Sequence, residues 1–483
     1  MGKLANLIKN NVLLLFILLL FLFSRLYNIS EIPASLYWDE ASIGYNAYSV
    51  LKTGKDEWGE FLPLHFRAFG EFKLPVYIYS VLLAEIVFGV SQLAVRIPAV
   101  VFGLFSVLGL YLLVIKITKN KTISLLSSLL FSVSPWFFIF SRTGYEATAG
   151  LAFFIYAIYF LLLSQKKRWK IILSVTLFIL SAYSYNSFRL LTLLFLGPYM
   201  IIFGLKAIKK KDKNGVLLLL LSVVLLLLSI VPIYKLYLRD AGLGRLQTVG
   251  ISKNILTNYL ANYSLSFLFS KGDPNPRSQI PGSPQLFPID AVFILLGLIY
   301  IFKNKDRKYL FILIALVLAP IPAAITKEAP HALRSILMAP ILATVAAMGI
   351  YFLLGYVKKY GKLALVVIVF IYLDFFGSYF YQFISRYNDL SSGDWQYPYK
   401  LIFQKYADTF DQYNQVYISD EYAQPYIFAL FYGKTDPTYF VNSKQLNPVS
   451  DWGFSTVKSF GKFHFIKDCN SDFEKNSLVL CPI

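Results

Sequence analysis

What most constrains this chain is the recurrence of apolar runs long enough to cross a bilayer. A hydrocarbon core takes about 20 apolar residues of helix. Such runs fall at approximately 11–27, 95–115, 122–140, 147–164, 171–186, 190–205, 215–235, 290–302, 309–325, 335–356 and 363–382, separated by short loops rich in Lys and Arg. They predict an all-α polytopic membrane protein of about eleven transmembrane helices. The 483 residues are 57% hydrophobic and 15% charged, whereas soluble chains are roughly half apolar and a quarter charged. The first run follows Lys3 and Lys9 in the manner of a secretory signal, but 21–30 offers no small-residue cleavage site, so it is expected to stay as the first helix.

Charge gives an independent reading of orientation, because cytoplasmic loops carry excess Lys and Arg while acidic residues follow the rule weakly. The N-terminus and the loops at 116–121, 165–170, 206–214, 303–308 and 357–362 hold 21 basic residues and only two acidic ones, Asp212 and Asp306. These segments are expected in the cytoplasm, N-terminus included. Their net +19 equals the formal charge of the whole chain, so everything outside them sums to zero. The basic balance therefore reports membrane orientation. A nucleic-acid partner would need a basic stripe on one folded face, and scattered loop lysines do not provide one.

Two outer segments, 28–94 and 236–289, and a tail from about 385 break the apolar pattern, and function is expected there. In the first, Ala41–Leu51 and Pro75–Val87 read as short helices lying flat at the membrane interface. In the second, the Pro- and Gly-rich stretch 271–284 forbids regular structure. The tail shows strand-like runs at Gln415–Ser419 and Phe463–Ile466 and helix-like stretches near 398–410 and 423–432. It reads as a small extracytoplasmic α/β domain, 385–483, following a transmembrane domain, 1–384. Cys469 and Cys481, the two cysteines, both fall on the outer side, where a disulfide can persist; geometry decides whether one forms.

Several residues carry candidate chemistry. Asp39 and Glu40 open the first outer helix, where the helix dipole favours carboxylates; capping alone would also account for them. Arg142 and Glu146, four apart at the outer end of the third run, could face each other on one helical turn, as a structural ion pair or as part of a substrate cavity. Lys327, His331 and Arg334 gather before the tenth run, where cations suit a lipid phosphate and Arg offers a planar fork for its oxygens. Snorkelling towards headgroups is the plainer role for Lys327. His331 has no second His or Cys nearby, so hydrogen bonding is favoured over a metal. Tyr183 and Arg189, in a polar aromatic turn, could line a sugar site or belong to the aromatic belt; Arg67 is a further cavity candidate. Neither a phosphate-cradling Gly-Lys-Ser/Thr loop nor a dinucleotide glycine pattern appears in a strand-to-helix context.

The order Asp39-Glu40, Gly70-Glu-Phe-Lys-Leu-Pro-Val-Tyr, Phe88-Gly-Val and Ala94-Val-Arg-Ile-Pro-Ala resembles the GT-C superfamily of membrane glycosyltransferases. Within it the chain is most similar to the protein O-mannosyltransferase and lipid A aminoarabinose transferase branch. The likeness covers about 30–350 and is strongest over 30–150. Leu74 stands where that branch usually has a proline directly after the lysine of its Lys-Pro-Pro stretch, and Glu146 where relatives often carry Asp. The resemblance implies a GT-C fold, an acidic pair after the first span and a second outer carboxylate, Glu146, in the same cavity. It also implies an Arg before the tenth helix, matched by Arg334, and little use of a metal. We therefore expect no cofactor, with a divalent ion held by outer carboxylates the remaining option.

The reading that follows is inverting transfer of a sugar from a polyprenyl-phosphate donor to a hydroxyl of a glycan, lipid or protein at the outer face. Asp39 would be the general base, Glu40 or Glu146 would orient the acceptor, and Arg334 with Lys327 or Lys73 would neutralise the phosphate. A lipid-linked sugar transporter would instead need ionisable groups inside the spans, which are nearly free of them. A non-catalytic glycan-binding protein would put recognition in the tail.

Overall fold

The computed structural model describes residues 2–238, 249–304, 306–449, 454–470 and 472–482, with side chains from residue 11 onwards. The section of the second outer segment at 239–248 lies outside them. Every apolar run coincides with helix. The runs at 95–115, 190–205 and 215–235 lie within Gln92–Thr118, Asn186–Lys209 and Lys213–Tyr237. The run at 122–140 is divided into Lys121–Val133 and Pro135–Phe140, because Pro135 cannot donate to the preceding turn. Among the described residues, six segments combine the length and hydropathy of a full crossing: Gln92–Thr118, Ala147–Ser164, Asn186–Lys209, Lys213–Tyr237, Arg307–Ala324 and Met338–Ser391. The last contains two of the expected runs, and others form shorter apolar helices such as Asn11–Leu26, Lys121–Val133 and Lys170–Ala182. The chain is a multi-pass helical membrane protein. Lys213–Tyr237 leaves Leu217, Leu220, Leu221, Leu227 and Leu228 exposed, as a lipid-facing helix does.

The chain divides into two compact units. One comprises Met1–Tyr27, Ala99–Val231 and Ile251–Leu390; the other Asn28–Pro98, Pro232–Gly250 and Ser391–Ile483. Two of these boundaries fall at a proline inside a helix, Pro98 and Pro232. The first unit is a helix bundle. Its helices Pro288–Asn304 and Met338–Val357 touch backbone to backbone, since a β-carbon on Gly297 would overlap the Val345 carbonyl and one on Gly349 that of Phe293. Small residues at such contacts permit the close approach that drives association in lipid.

The second unit holds a five-stranded mixed sheet. Strand Gln415–Ser419 lies between parallel neighbours Phe463–Ile466, the central strand, and Ser477–Leu480 at one edge, while Val457–Phe460 and Gln445–Leu446 continue the sheet antiparallel on the other side. Val416 and Ile418 are fully buried, and helices Tyr397–Lys405 and Pro425–Tyr432 meet through Tyr399 and Phe428. Cys469 and Cys481 form a disulfide between the segments that leave two of the strands.

Two expectations are corrected here. The boundary at 384/385 falls inside the helix Gly361–Ser391, and the tail shares its unit with 28–98 rather than standing alone. Gln396 accepts from the Trp38 amide at 2.9 Å, Lys400 donates to Glu31 and to the Ala34 carbonyl, and Tyr432 reaches Ser35. Consequently Trp38–Thr53 is not an interfacial helix with an open face: residues 40–47 are all buried. Pro75–Phe88 keeps that character, with Leu83, Ile86, Val87 and Phe88 exposed at its end.

Candidate active site

The helix Trp38–Thr53 begins with both carboxylates in its first turn and ends at Gly54, whose left-handed φ of 73° closes it. The two carboxylates have different fates. Glu40 is buried and reaches back to the Tyr37 amide at 3.3 Å, a cap of its own helix. It also pairs with the fully buried Arg96 at 3.3 Å, and Arg96 donates besides to the carbonyls of Ile29, Pro33 and Ser35. Glu40 is thus part of the clamp that fixes the loop leading into the helix. Glu40 was expected among the reacting groups; in the structure its carboxylate pairs with Arg96 and caps the helix.

Asp39 points elsewhere. Its side chain is 34% exposed, and one oxygen accepts from the Lys73 ammonium at 2.5 Å. Lys73 is 3% exposed and lies in the short strand Phe72–Lys73, paired with Phe66–Arg67. Lys73 was expected at the donor phosphate; its ammonium instead holds the Asp39 carboxylate. Arg67, a cavity candidate, stacks on Trp58 at 4.1 Å and donates to Ser455.

Arg67 belongs to a cluster that sequence patterns did not reveal. Asp56 and Glu57 are buried beside it, with Glu57 accepting from Asn46 at 3.1 Å while Lys444 lies over Trp58 at 4.5 Å. Burial, against a partial offset from Asn46, pushes the Glu57 carboxyl up to about 8. The Asp-Glu-Trp sequence at 56–58 was the available signal, but nothing in it indicates burial.

The remaining candidates lie in the helical unit. Arg334 is 11% exposed and donates to Thr326 at 2.8 Å and to Glu328, itself 74% exposed, at 3.1 Å. Lys327 is exposed. The backbone between them is fixed at Ala332: its amide donates to the Asp273 carboxylate at 2.6 Å and its carbonyl accepts from the Trp136 indole at 3.0 Å. Asp273 belongs to the stretch 271–284, which has no helix or strand but is braced by Gln279, whose amide donates to the carbonyls of Lys271 and Asp273. His331 donates its amide to Asn262, and its Nδ1 lies 3.9 Å from the Asp273 carboxylate.

Glu146 is half-buried, one residue before Ala147–Ser164. Tyr183 spends its hydroxyl on the Ser229 carbonyl, and Arg189 donates to the Ala182 carbonyl at 3.4 Å. Arg142 is corrected: 141–146 is a turn, not a helical turn, and the buried guanidinium donates to the carbonyls of Ser24, Arg25 and Tyr27, closing the end of the first helix. Among the described residues no group of three or more His, Cys, Asp and Glu side chains is gathered for a metal ion.

The two units of this multi-pass helical membrane protein thus each carry a polar cluster: the Asp39–Lys73 pair in one and the braced loop before Arg334 in the other. A family model described as dolichyl-phosphate-mannose-protein mannosyltransferase matches residues 73–234. Among solved structures, ArnT from Cupriavidus metallidurans in the apo state aligns with a TM-score of 0.60 at 10% identity, over 89% of this chain and 85% of that one. The same protein bound to undecaprenyl phosphate gives 0.59 at 10% identity, over 89% and 87%. The oligosaccharyltransferase AglB from Archaeoglobus fulgidus, in complex with an inhibitory peptide and a dolichol-phosphate, gives 0.52 at 13%, over 87% and 63%. Comparison with curated proteins by sequence gives no match. The chain thus shares its fold with these membrane glycosyltransferases, and its residues 73–234 are similar to the mannosyltransferase family model.

Proposed function

We propose that this protein transfers a sugar from a polyprenyl-phosphate donor to a hydroxyl of a glycan, lipid or protein acceptor at the outer face of the membrane, with inversion at the anomeric carbon. The observation that carries the reading is Asp39: it is the carboxylate of the opening pair left open to solvent, and Lys73 holds it in one orientation. Such a group can take the proton from an acceptor hydroxyl. The hydroxyl oxygen then bonds to the anomeric carbon as the carbon–oxygen bond to the phosphate breaks, and polyprenyl phosphate leaves with the electron pair.

Arg334 is the proposed partner of that phosphate. Its fork has donors beyond those given to Thr326 and Glu328, and a charged donor aimed at developing negative charge stabilises departure. Exposed Lys327 adds a second cation, His331 a hydrogen bond, and Glu146 orients the acceptor. Glu40 is a positioning residue that sets the start of the Asp39 helix. The lipid phosphates held by the two structural neighbours support this donor class, and the lysine-rich loops support an outer-face site.

The test is mass spectrometry of products after purified protein is incubated with a panel of polyprenyl-phosphate sugars and candidate acceptors. Transfer by the parent and none by Asp39→Asn is expected. Transfer by Asp39→Asn at the parent rate would remove Asp39 from the chemistry.

A further inference from the structure

A cavity of about 330 Å³ opens in the helical unit where the turn at 165–169, the last three turns of Asn186–Lys209 and the turn into Lys213–Tyr237 converge. It is far from featureless. Tyr199, Ile202 and Phe203 form an apolar floor, with the two rings stacked 6.3 Å apart and the Tyr199 hydroxyl anchored on Ser164 at 2.7 Å. Arg168, Lys206, Lys210 and Asp212 form a charged rim.

The rim is organised around an ion pair between Arg168 and Asp212. Asp212 is fixed by its amide, which donates to the Ala207 carbonyl at 2.9 Å, and by the left-handed Lys211 before it, at φ 50°. A β-carbon on Gly215 would overlap the Asp212 carboxylate, so glycine there is what lets the carboxylate lie where Arg168 meets it. The pair neutralises one of three cations. Lys206, in the last turn of the helix, and Lys210, just past its end, remain with a net charge of +2 towards the opening.

We propose that this cavity is a binding site for the phosphodiester headgroup of an anionic phospholipid, with its acyl chains lying along the helix below. The volume is at the lower end of ligand pockets, about 300–1,000 Å³, and suits a headgroup. The occupant must be amphipathic, because Ile201, Ile202, Leu205 and Ile208 leave the flank of the same helix apolar and exposed. A basic pocket between membrane helices above such a flank is the arrangement that holds acidic lipid heads. The exposed Trp169 beside the rim places this level at the membrane interface. The site uses none of the residues assigned to sugar transfer.

The experiment is native mass spectrometry of the detergent-purified full chain with phosphatidylglycerol, with phosphatidylcholine, and with inorganic phosphate or undecaprenyl phosphate as competitor, together with the melting shift each lipid gives. One phosphatidylglycerol per chain is expected to be retained, phosphatidylcholine to be lost, and the melting point to rise with the former alone. Lys206→Gln with Lys210→Gln should weaken retention about 30-fold, the scale of two lysine contacts with an acidic headgroup. Lys166→Gln with Lys167→Gln removes the same charge outside the cavity and should leave retention unchanged. Equal loss in that control, equal retention of phosphatidylcholine, or preferential filling by inorganic phosphate or undecaprenyl phosphate would overturn the proposal.

Discussion

Asp39 and Glu40 are adjacent, identical in charge and opposite in fate, and mutation should separate them. Asp39→Asn keeps the shape and removes the proposed base, so turnover should fall about 10²–10⁴-fold, with some loss of melting point because the buried Lys73 ammonium loses its counter-charge. Glu40→Gln leaves the buried Arg96 guanidinium without its counter-charge, a loss of about 3–5 kcal/mol, and should show as a lowered melting point before any kinetic effect. For Arg334→Lys the charge survives but the fork does not; the donor KM should rise roughly tenfold, about one charge-assisted hydrogen bond, with kcat less affected. The sequence carried the position of the acidic pair and its family order. It did not carry the division of labour, because that depends on Arg96 arriving from a helix more than fifty residues away. Arg142 failed for a related reason: four-residue spacing implies a shared helix face only where there is a helix, and 141–146 is a turn.

Elements were legible where their periodicity is strong. The tail strands Gln415–Ser419 and Phe463–Ile466 and the apolar helices fall where patterns put them. Strands Val457–Phe460 and Ser477–Leu480 were not foreseen, because four residues next to turn formers give too little alternation; their neighbours in the sheet define them. The Asp56–Glu57 turn makes a prediction of its own. Glu57 titrates near 8 in the fold and near 4.5 when exposed, so the folded state holds the proton more tightly. Its stabilising contribution is complete below about pH 4.5 and is lost as pH rises through about 8. Hydrogen exchange over 28–98 should therefore quicken between pH 5 and 8.5 beyond the intrinsic rate, and Glu57→Gln should flatten that dependence.

For the whole molecule, the charge on the short loops and the recurrence of apolar runs were enough to read a multi-pass helical protein. The unit boundaries were not readable, because hydropathy marks where the chain enters lipid and says nothing of which outer segments join. The tail joins residues 28–98 through Lys400, Gln396 and Tyr432. Deleting 392–483 should therefore expose 28–98 to limited proteolysis and abolish any activity at Asp39, and the isolated tail should lack a cooperative unfolding transition. A tail that melts cooperatively alone, with 28–98 still protected in the truncated chain, would contradict that.

This shared unit sets a timetable for synthesis. At about 5–20 residues per second, a ribosome that has finished residue 98 needs roughly 15–60 s to reach the tail. Throughout that interval the helix bearing Asp39 lacks the strands and helices that bury it. The newborn chain thus carries the Asp39 segment unfinished until the tail emerges, and a chaperone shielding 28–98 would have to hold it while roughly three hundred residues are added.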